Sequence, residues 1–288
     1  MNNSFKIFRY VFFLLALIAF SCNHTNKTNT LPPNPKGYDL SKPQQFNMPD
    51  DLTEISGIAF NKGDADTIFA EQDEEGKLFY FKPGDSNVQH VKFGKSGDYE
   101  DVAISNGWVI MLRSDGTLFT FSLKDIGKPE ITTTQKQEDL LAPGEYEGLY
   151  ADGNSVHVLC KHCSVDKTSK STTLFNLQLS ADGLLTNAGR STIDVKKIEE
   201  LTGQKKIAFH PSALSKNPAT GEWYILSSVN KLLVVANTSW NIKEVYNLNN
   251  SLFHQPEGMA FDEDNNLYIS NEGDKLAPGN ILKFKYTK

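Results

Sequence analysis

The sequence predicts an all-β, five-bladed β-propeller of four-stranded antiparallel blades, and three observations carry that prediction. A short motif recurs five times. Each copy is followed by two further strand-like runs. The chain ends where the last unit still lacks a strand. A period near forty-five residues with four strands per unit is the mark of propeller blades.

The motifs are EISGIAF from Glu54, DYEDVAI from Asp98, EYEGLYA from Glu145, HPSALSK from His210 and QPEGMAF from Gln255. Their shared Ser/Glu column falls on Ser56, Glu100, Glu147, Ser212 and Glu257, spaced by 44, 47, 65 and 45 residues. Aromatic and β-branched runs follow each copy, such as TIFAEQD and KLFYFKP in the first and NLYISNE and NILKFKY in the last. Turn signals such as SDG and NPATG separate them, as strands joined by hairpins require. A fourth run completes several units, as in NVQHVKF and NIKEVYN. The segment YDLSKPQQFNMP, ahead of the first motif, is expected to supply the strand missing from the last unit and to close the ring, leaving no free edge. The long third interval leaves room for a sixth blade. The preferred reading is an insertion, because RSTIDVKKIEELTGQKK reads as a strand followed by a short helix.

Three regions follow along the chain: 1–22 a signal segment, 23–36 a tether and 37–288 the propeller. Lys6 and Arg9 precede a short apolar run from Val11 to Phe20, too short to span a bilayer, and Ser21-Cys22 follows. A small residue before Cys resembles the lipobox of bacterial lipoproteins, which implies lipidation at Cys22 and a lipid-anchored place in the cell envelope, periplasmic or at the outer membrane. A plain signal peptide cut nearby is the alternative. The stretch NHTNKTNTLPPNPKG is too polar to fold by itself. With 39% hydrophobic residues and a net charge of −6, the chain can bury a large core but offers no basic field for nucleic acid. A monomer is expected, touching the membrane through the anchor alone.

First strands of a propeller start at the axis, so equivalent residues from different blades converge on one channel. Residues two apart share a side of a strand, which adds Glu54, Asp98, Glu145 and His210 as channel-lining candidates beside Ser56, Glu100, Glu147, Ser212 and Glu257. Like charges held this close oppose one another's ionisation. They share protons, stay hydrated, or hold a cation. A hard cation such as Ca²⁺ takes 6–8 oxygen ligands. The column contains no Lys or Arg, which favours the cation. The competing role is structural, with the column hydrogen-bonding neighbouring blades and capping strand starts. Glu71 and Glu272, at the ends of second strands, are further candidates for the same face.

On these residues the chain resembles the SdiA-regulated family of bacterial propellers, itself similar to NHL-repeat propellers. The resemblance is carried by residues 54–60, 98–104, 145–150, 224–233 and 255–274. It implies a five-bladed fold, Ca²⁺ bound in the central region, and ligands at Glu100, Glu147, Glu257, Glu54 and Ser56. Asp101 stands where the family more usually has Gly, so it is a candidate to add or shift a ligand. The family's biochemical role is not established. Two functions follow as expectations. The preferred one is a calcium-binding envelope module for a protein or small-molecule ligand. The other is a calcium-dependent hydrolase, lactonase- or phosphoesterase-like, acting at the channel. No nucleophile and base at recognisable spacing support an enzyme, since Ser212 beside Pro211 is not a nucleophile elbow.

Two motifs remain. CKHC, Cys160 to Cys163, lacks the second ligand pair of a zinc site, so a local disulfide or two buried thiols are expected. The run DEDNN resembles the start of a calcium loop. Counted from Asp262, position six is Leu267 rather than Gly and position twelve is Gly273 rather than Glu, so it is expected to be a turn.

Overall fold

A computed structural model describes residues 31–167 and 169–288. The expected signal segment, with Cys22, lies outside the described residues. Blade 1 comprises β2 (Ile55–Asn61), β3 (Asp64–Gln72), β4 (Lys77–Phe81) and β5 (Gln89–Lys92). Blade 2 comprises β6 (Tyr99–Ser105), β7 (Trp108–Arg113), β8 (Leu118–Ser122) and β9 (Gln135–Gln137). Blade 3 comprises β10 (Gly144–Asp152), β11 (Ser155–Cys163), β12 (Ser171–Leu179) and β13 (Leu185–Asp194). Blade 4 comprises β14 (Ala213–Lys216), β15 (Trp223–Ser227), β16 (Leu232–Ala236) and β17 (Ile242–Asn247). Blade 5 takes β18 (Pro256–Phe261), β19 (Leu267–Asn271) and β20 (Asn280–Phe284) from the end of the chain and β1 (Gln44–Asn47) from its beginning.

These are five four-stranded antiparallel sheets, and the ring closes as expected. The closing pair runs from Gln44 opposite Lys283 to Asn47 opposite Asn280. Pairing the two ends of the chain satisfies backbone groups that would otherwise form an open edge. The described residues before it also lie against the ring. Leu31 packs on the apolar cluster between blades 3 and 4, and the Asn34 side chain accepts from the Leu40 amide at 2.8 Å.

The long interval between blades 3 and 4 is the insertion rather than a sixth blade. It holds α1 (Val195–Thr202), capped by Asp194, whose side chain accepts from the Lys196 amide, and ended by Gly203 at φ 71°. Val195 and Ile198 turn inward onto the same cluster. Among the described residues no helix is long and apolar enough to cross a membrane.

The core is split into wedges between neighbouring blades. Ile55, Phe79, Tyr268 and Ile281 fill the space between blades 5 and 1, and Trp223 stacks on Trp240 at 4.2 Å beside blade 3. Each fully buried large apolar side chain contributes about 1.5–3 kcal/mol. Blade-to-blade packing is therefore the main cohesion, and the axis is left free for other chemistry. First and second strands are joined by tight hairpins at one end of the channel. Lys62-Gly63 and Asn106-Gly107 take positive φ at both positions there, as two-residue hairpins need. The DEDNN run is a longer turn at the same end, with Asn265 at φ 66°. Asp262 accepts from the Asn266 amide and side chain at 2.7 Å each and from the Tyr268 hydroxyl at 3.1 Å, and its backbone closes onto Asn265 and Asn266.

Candidate functional site

At the opposite end of the channel the first strands begin, and here the ladders are irregular. In blade 2, Tyr99 pairs with Arg113 and Asp101 with Leu112, so Glu100 is an extra residue. Glu147 is bulged in the same way between Tyr146 and Gly148, and Glu257 between Pro256 and Gly258. Blade 1 breaks register between Ile55 and Ile58, around Ser56. Ser212 directly precedes β14. A bulge inserts one residue and re-aims its side chain. Here it aims Glu100, Glu147 and Glu257 at one mouth.

The residue after each column position explains the recurring Gly. A Cβ on Gly258 would stand 2.3 Å from the Ser56 carbonyl and the Ser270 hydroxyl, and one on Gly57 would stand 2.3 Å from Asp101 Oδ1. The first strands approach too closely for a side chain. The serines of the column act as staples between blades. Ser56 Oγ donates to the Glu100 carbonyl at 3.0 Å and Ser212 Oγ to the Pro256 carbonyl at 2.7 Å.

The strand register also reveals a second ring. The residues that follow the second-strand partners of Ile55, Tyr99, Tyr146 and Pro256 are Asp73, Ser114, Lys161 and Glu272. In blade 4, Ala213 opposite Leu226 places Ser228 there. Two rings of five thus face the mouth, carrying five carboxylates and one ammonium. Lys161 Nζ bonds Glu147 Oε1. The column itself holds no cation, but a neighbouring strand brings one to it, which spacing along the first strands could not reveal.

The carboxylates feel burial and each other. Burial, then the charges of Glu147 and Asp98, raise the Glu100 carboxyl to about 9. Burial, then Glu147, raises Glu257 to about 8, against a hydrogen bond from Ser228. Burial also raises Glu147, in spite of Lys161. Burial followed by Glu54 and Glu272 lifts Asp73 to about 6, and burial followed by Glu54 raises Glu272, whose Oε2 accepts from Gln255 at 2.7 Å. Two buried oxygens of this region, Glu71 Oε2 and Asp73 Oδ1, have no hydrogen-bond partner.

The remaining candidates separate into distinct places. Glu71 is fully buried and its Oε1 accepts from the Gly57 amide at 2.6 Å. By register its equivalent in blade 5 is Ser270, while the equivalent of Glu272 is Asp73. Burial, opposed by the Gly57 amide and reinforced by Asp101 and Glu100, pushes Glu71 well above the usual carboxylate range. Asp101 has both oxygens engaged, from its neighbour Val102 N at 2.8 Å and from Leu149 N of the next blade at 2.6 Å. It joins blade 2 to blade 3. Glu54 lies near Asp73 and Glu272. Asp98 and Glu145 are exposed on the outer lip, with Asp98 Oδ2 accepting from Ser114 Oγ at 2.5 Å. His210 is half-buried, its ring 6.4 Å from that of His162.

Cys160 and Cys163 are joined by a disulfide with Cα atoms 6.0 Å apart, and both are buried. Among the described residues, the one trio of His, Cys, Asp or Glu side chains whose ligand atoms converge within 4.8 Å is Cys160, Cys163 and Asp166. The disulfide occupies both sulfurs, so this trio holds no metal. The mouth acids stand farther apart than that. Their donors are all oxygen, the set a hard cation prefers, and the unpartnered Glu71 and Asp73 oxygens leave acceptor capacity unused.

The fold and this acid-ringed mouth define a five-bladed propeller with a polar central opening. The chain belongs to the SdiA-regulated family, whose model matches residues 38–276. No curated protein matches it. It is similar in fold to a glutaminyl cyclase from Myxococcus xanthus, at 13% identity and TM-score 0.54, covering 85% of this chain and 96% of that one. It is also similar to a luciferin-regenerating enzyme, at 9% identity and TM-score 0.51, with 85% and 95% covered. Regucalcin from Agrobacterium tumefaciens, a calcium-binding protein, matches at 13% identity and TM-score 0.50, with 90% and 97% covered. At these identities the likeness is one of fold.

Proposed function

We propose that this protein is a divalent-cation-binding propeller of the cell envelope, with Ca²⁺ as its ion, and that it acts as a binding module for a protein or small-molecule ligand. The observation that carries the reading is the gathering of five carboxyl groups at the mouth, answered by Lys161 on Glu147 and by the Lys231 ammonium near Glu257, while the Glu71 and Asp73 oxygens lack partners. Glu100, Glu147 and Glu257 would hold the ion, with Ser56 beside them and Glu54, Asp73 and Glu272 adding negative charge. Because these side chains do not close into a tight shell by themselves, water and ligand oxygen would complete it. A bound divalent ion supplies the positive charge that burial of these carboxylates lacks.

Calorimetric titration of chelator-treated protein with CaCl₂ tests this, together with melting in EDTA and in Ca²⁺. Binding with a rise in melting temperature is the expected result. Absence of both would overturn it. A role in hydrolysis is tested separately with lactone and phosphoester substrates. Turnover that EDTA removes and that Glu147→Gln abolishes would replace the binding-module reading. The envelope placement rests on the lipobox-like Ser21-Cys22. Incorporation of labelled palmitate, lost in Cys22→Ala, is expected, and an unlabelled protein would overturn the anchor.

A further inference from the structure

Three observations converge on Lys161. First, it occupies the second-ring position that carries Asp73 in blade 1 and Glu272 in blade 5, so one blade inverts the charge there. Second, its ammonium bonds Glu147 and lies in the field of Glu100 and Glu257 as well, touching the whole glutamate column by charge. Third, its backbone is held on both sides. Cys160 and Cys163 bracket it with a disulfide, and Cys160 pairs with the fully buried Tyr146, whose hydroxyl donates to the Ala142 carbonyl at 2.5 Å. The side chain itself is 32% exposed, so it has room to swing toward solvent while the backbone stays fixed.

We propose that Lys161 is a tethered counter-cation that occupies the mouth when no metal is bound, and that it sets the ion selectivity of the site because an entering ion must displace it. The proposal rests on the divalent-cation reading above. An ammonium is a compact point charge on a flexible stem, suited to such a role. A monovalent ion that replaced it would leave the charge unchanged and lose its hydrogen bond to Glu147. A divalent ion adds one unit of positive charge among carboxylates held partly out of water, where that unit interacts strongly. Lys161 therefore excludes Na⁺ and K⁺ and admits Ca²⁺ at reduced affinity.

The test compares calorimetric CaCl₂ titrations of the wild type, Lys161→Met and Lys161→Arg, each with and without added NaCl. In Lys161→Met, Ca²⁺ is expected to bind about ten-fold tighter. NaCl should then compete in that variant beyond the general salt effect seen in the wild type. Lys161→Arg should stay near the wild type because it keeps the charge. Lys161→Gln serves if the methionine variant does not fold. Unchanged or weaker Ca²⁺ binding in the charge-removing variants, with the wild type binding normally, would overturn the role of Lys161 and leave the metal site standing. No Ca²⁺ binding by any of these proteins would overturn the metal reading, and the competition with it.

Discussion

The two ends of the channel are built from the same five first strands and behave as opposites. Where the strands begin, bulges at the Ser/Glu column turn Glu100, Glu147 and Glu257 toward the axis. Where they end, tight hairpins close a cavity of about 340 Å³, walled by residues such as Ala59, Ala103 and Ala260 and rimmed by Lys62, Asp152 and Lys216. The rim charges there are mixed, and Lys216 reaches Asp152 at 3.5 Å. Side-chain identity alone does not make one end a charged site. One extra residue per strand, and a Gly that lets the next blade approach, decide which carboxylates face one another.

The contrast can be broken most severely at Asp101. Asp101→Ala removes the acceptor of two buried amides, Val102 in its own strand and Leu149 in blade 3. At about 1–3 kcal/mol per orphaned group, urea denaturation should show a loss of several kcal/mol. Gly258→Ala forces a Cβ against the Ser56 carbonyl and should lower stability by about 3 kcal/mol or more. The matched change at the other end, Gly107→Ala, meets no atom within 4 Å and pays only for its φ of +80°, about 1–2 kcal/mol. Equal losses for the two glycine variants would deny the close approach at the acid end.

A pH series sharpens the electrostatic half of the comparison. In the folded protein Glu100 and Glu257 hold their protons up to about 9 and about 8, against an ordinary value of 4.5. The unfolded chain releases those protons near 4.5, so between there and pH 8–9 the folded state binds more protons. Stability from these groups is thus full at acid pH and is lost as pH climbs through the folded values. Melting in EDTA should fall across that window. Glu100→Gln with Glu257→Gln should flatten the curve, saturating Ca²⁺ should flatten it in the parent, and Ser215→Ala at the other mouth should follow the parent. A parent curve that rises with pH would contradict the buried, mutually repelling carboxylates.

The smallest change concerns blade 3. Replacing Cys160 and Cys163 with Ala removes a very short loop closure, for which chain entropy gives about 2 kcal/mol or less. A modest drop in melting temperature is expected, with the fold retained by circular dichroism.

Much of the architecture could be read along the chain, because a blade is a local unit. Strand, hairpin and next strand lie within about forty-five residues, so the repeat, the insertion before Ser212 and the closing strand before Ile55 all leave a linear trace. The Ser/Glu column was legible for the same reason, and so was the turn at Asp262. The second ring was not. Asp73, Ser114, Lys161, Ser228 and Glu272 share no residue type, and only strand register makes them equivalent. Glu71 and Glu272, expected on one face from their places at the ends of second strands, are separated by register, which matches Glu272 with Asp73 instead. Asp101, conspicuous beside Glu100, is a joint between blades because its oxygens meet amides of its own strand and the next blade's first strand. The sequence by itself thus determined the blade count, the closure and one ring of the mouth, since those depend on periodic local pairing. Tertiary structure decided which acids oppose one another, which one is tied into the frame and which lysine answers them, because those relations arise across blades, between residues that meet only when the ring closes.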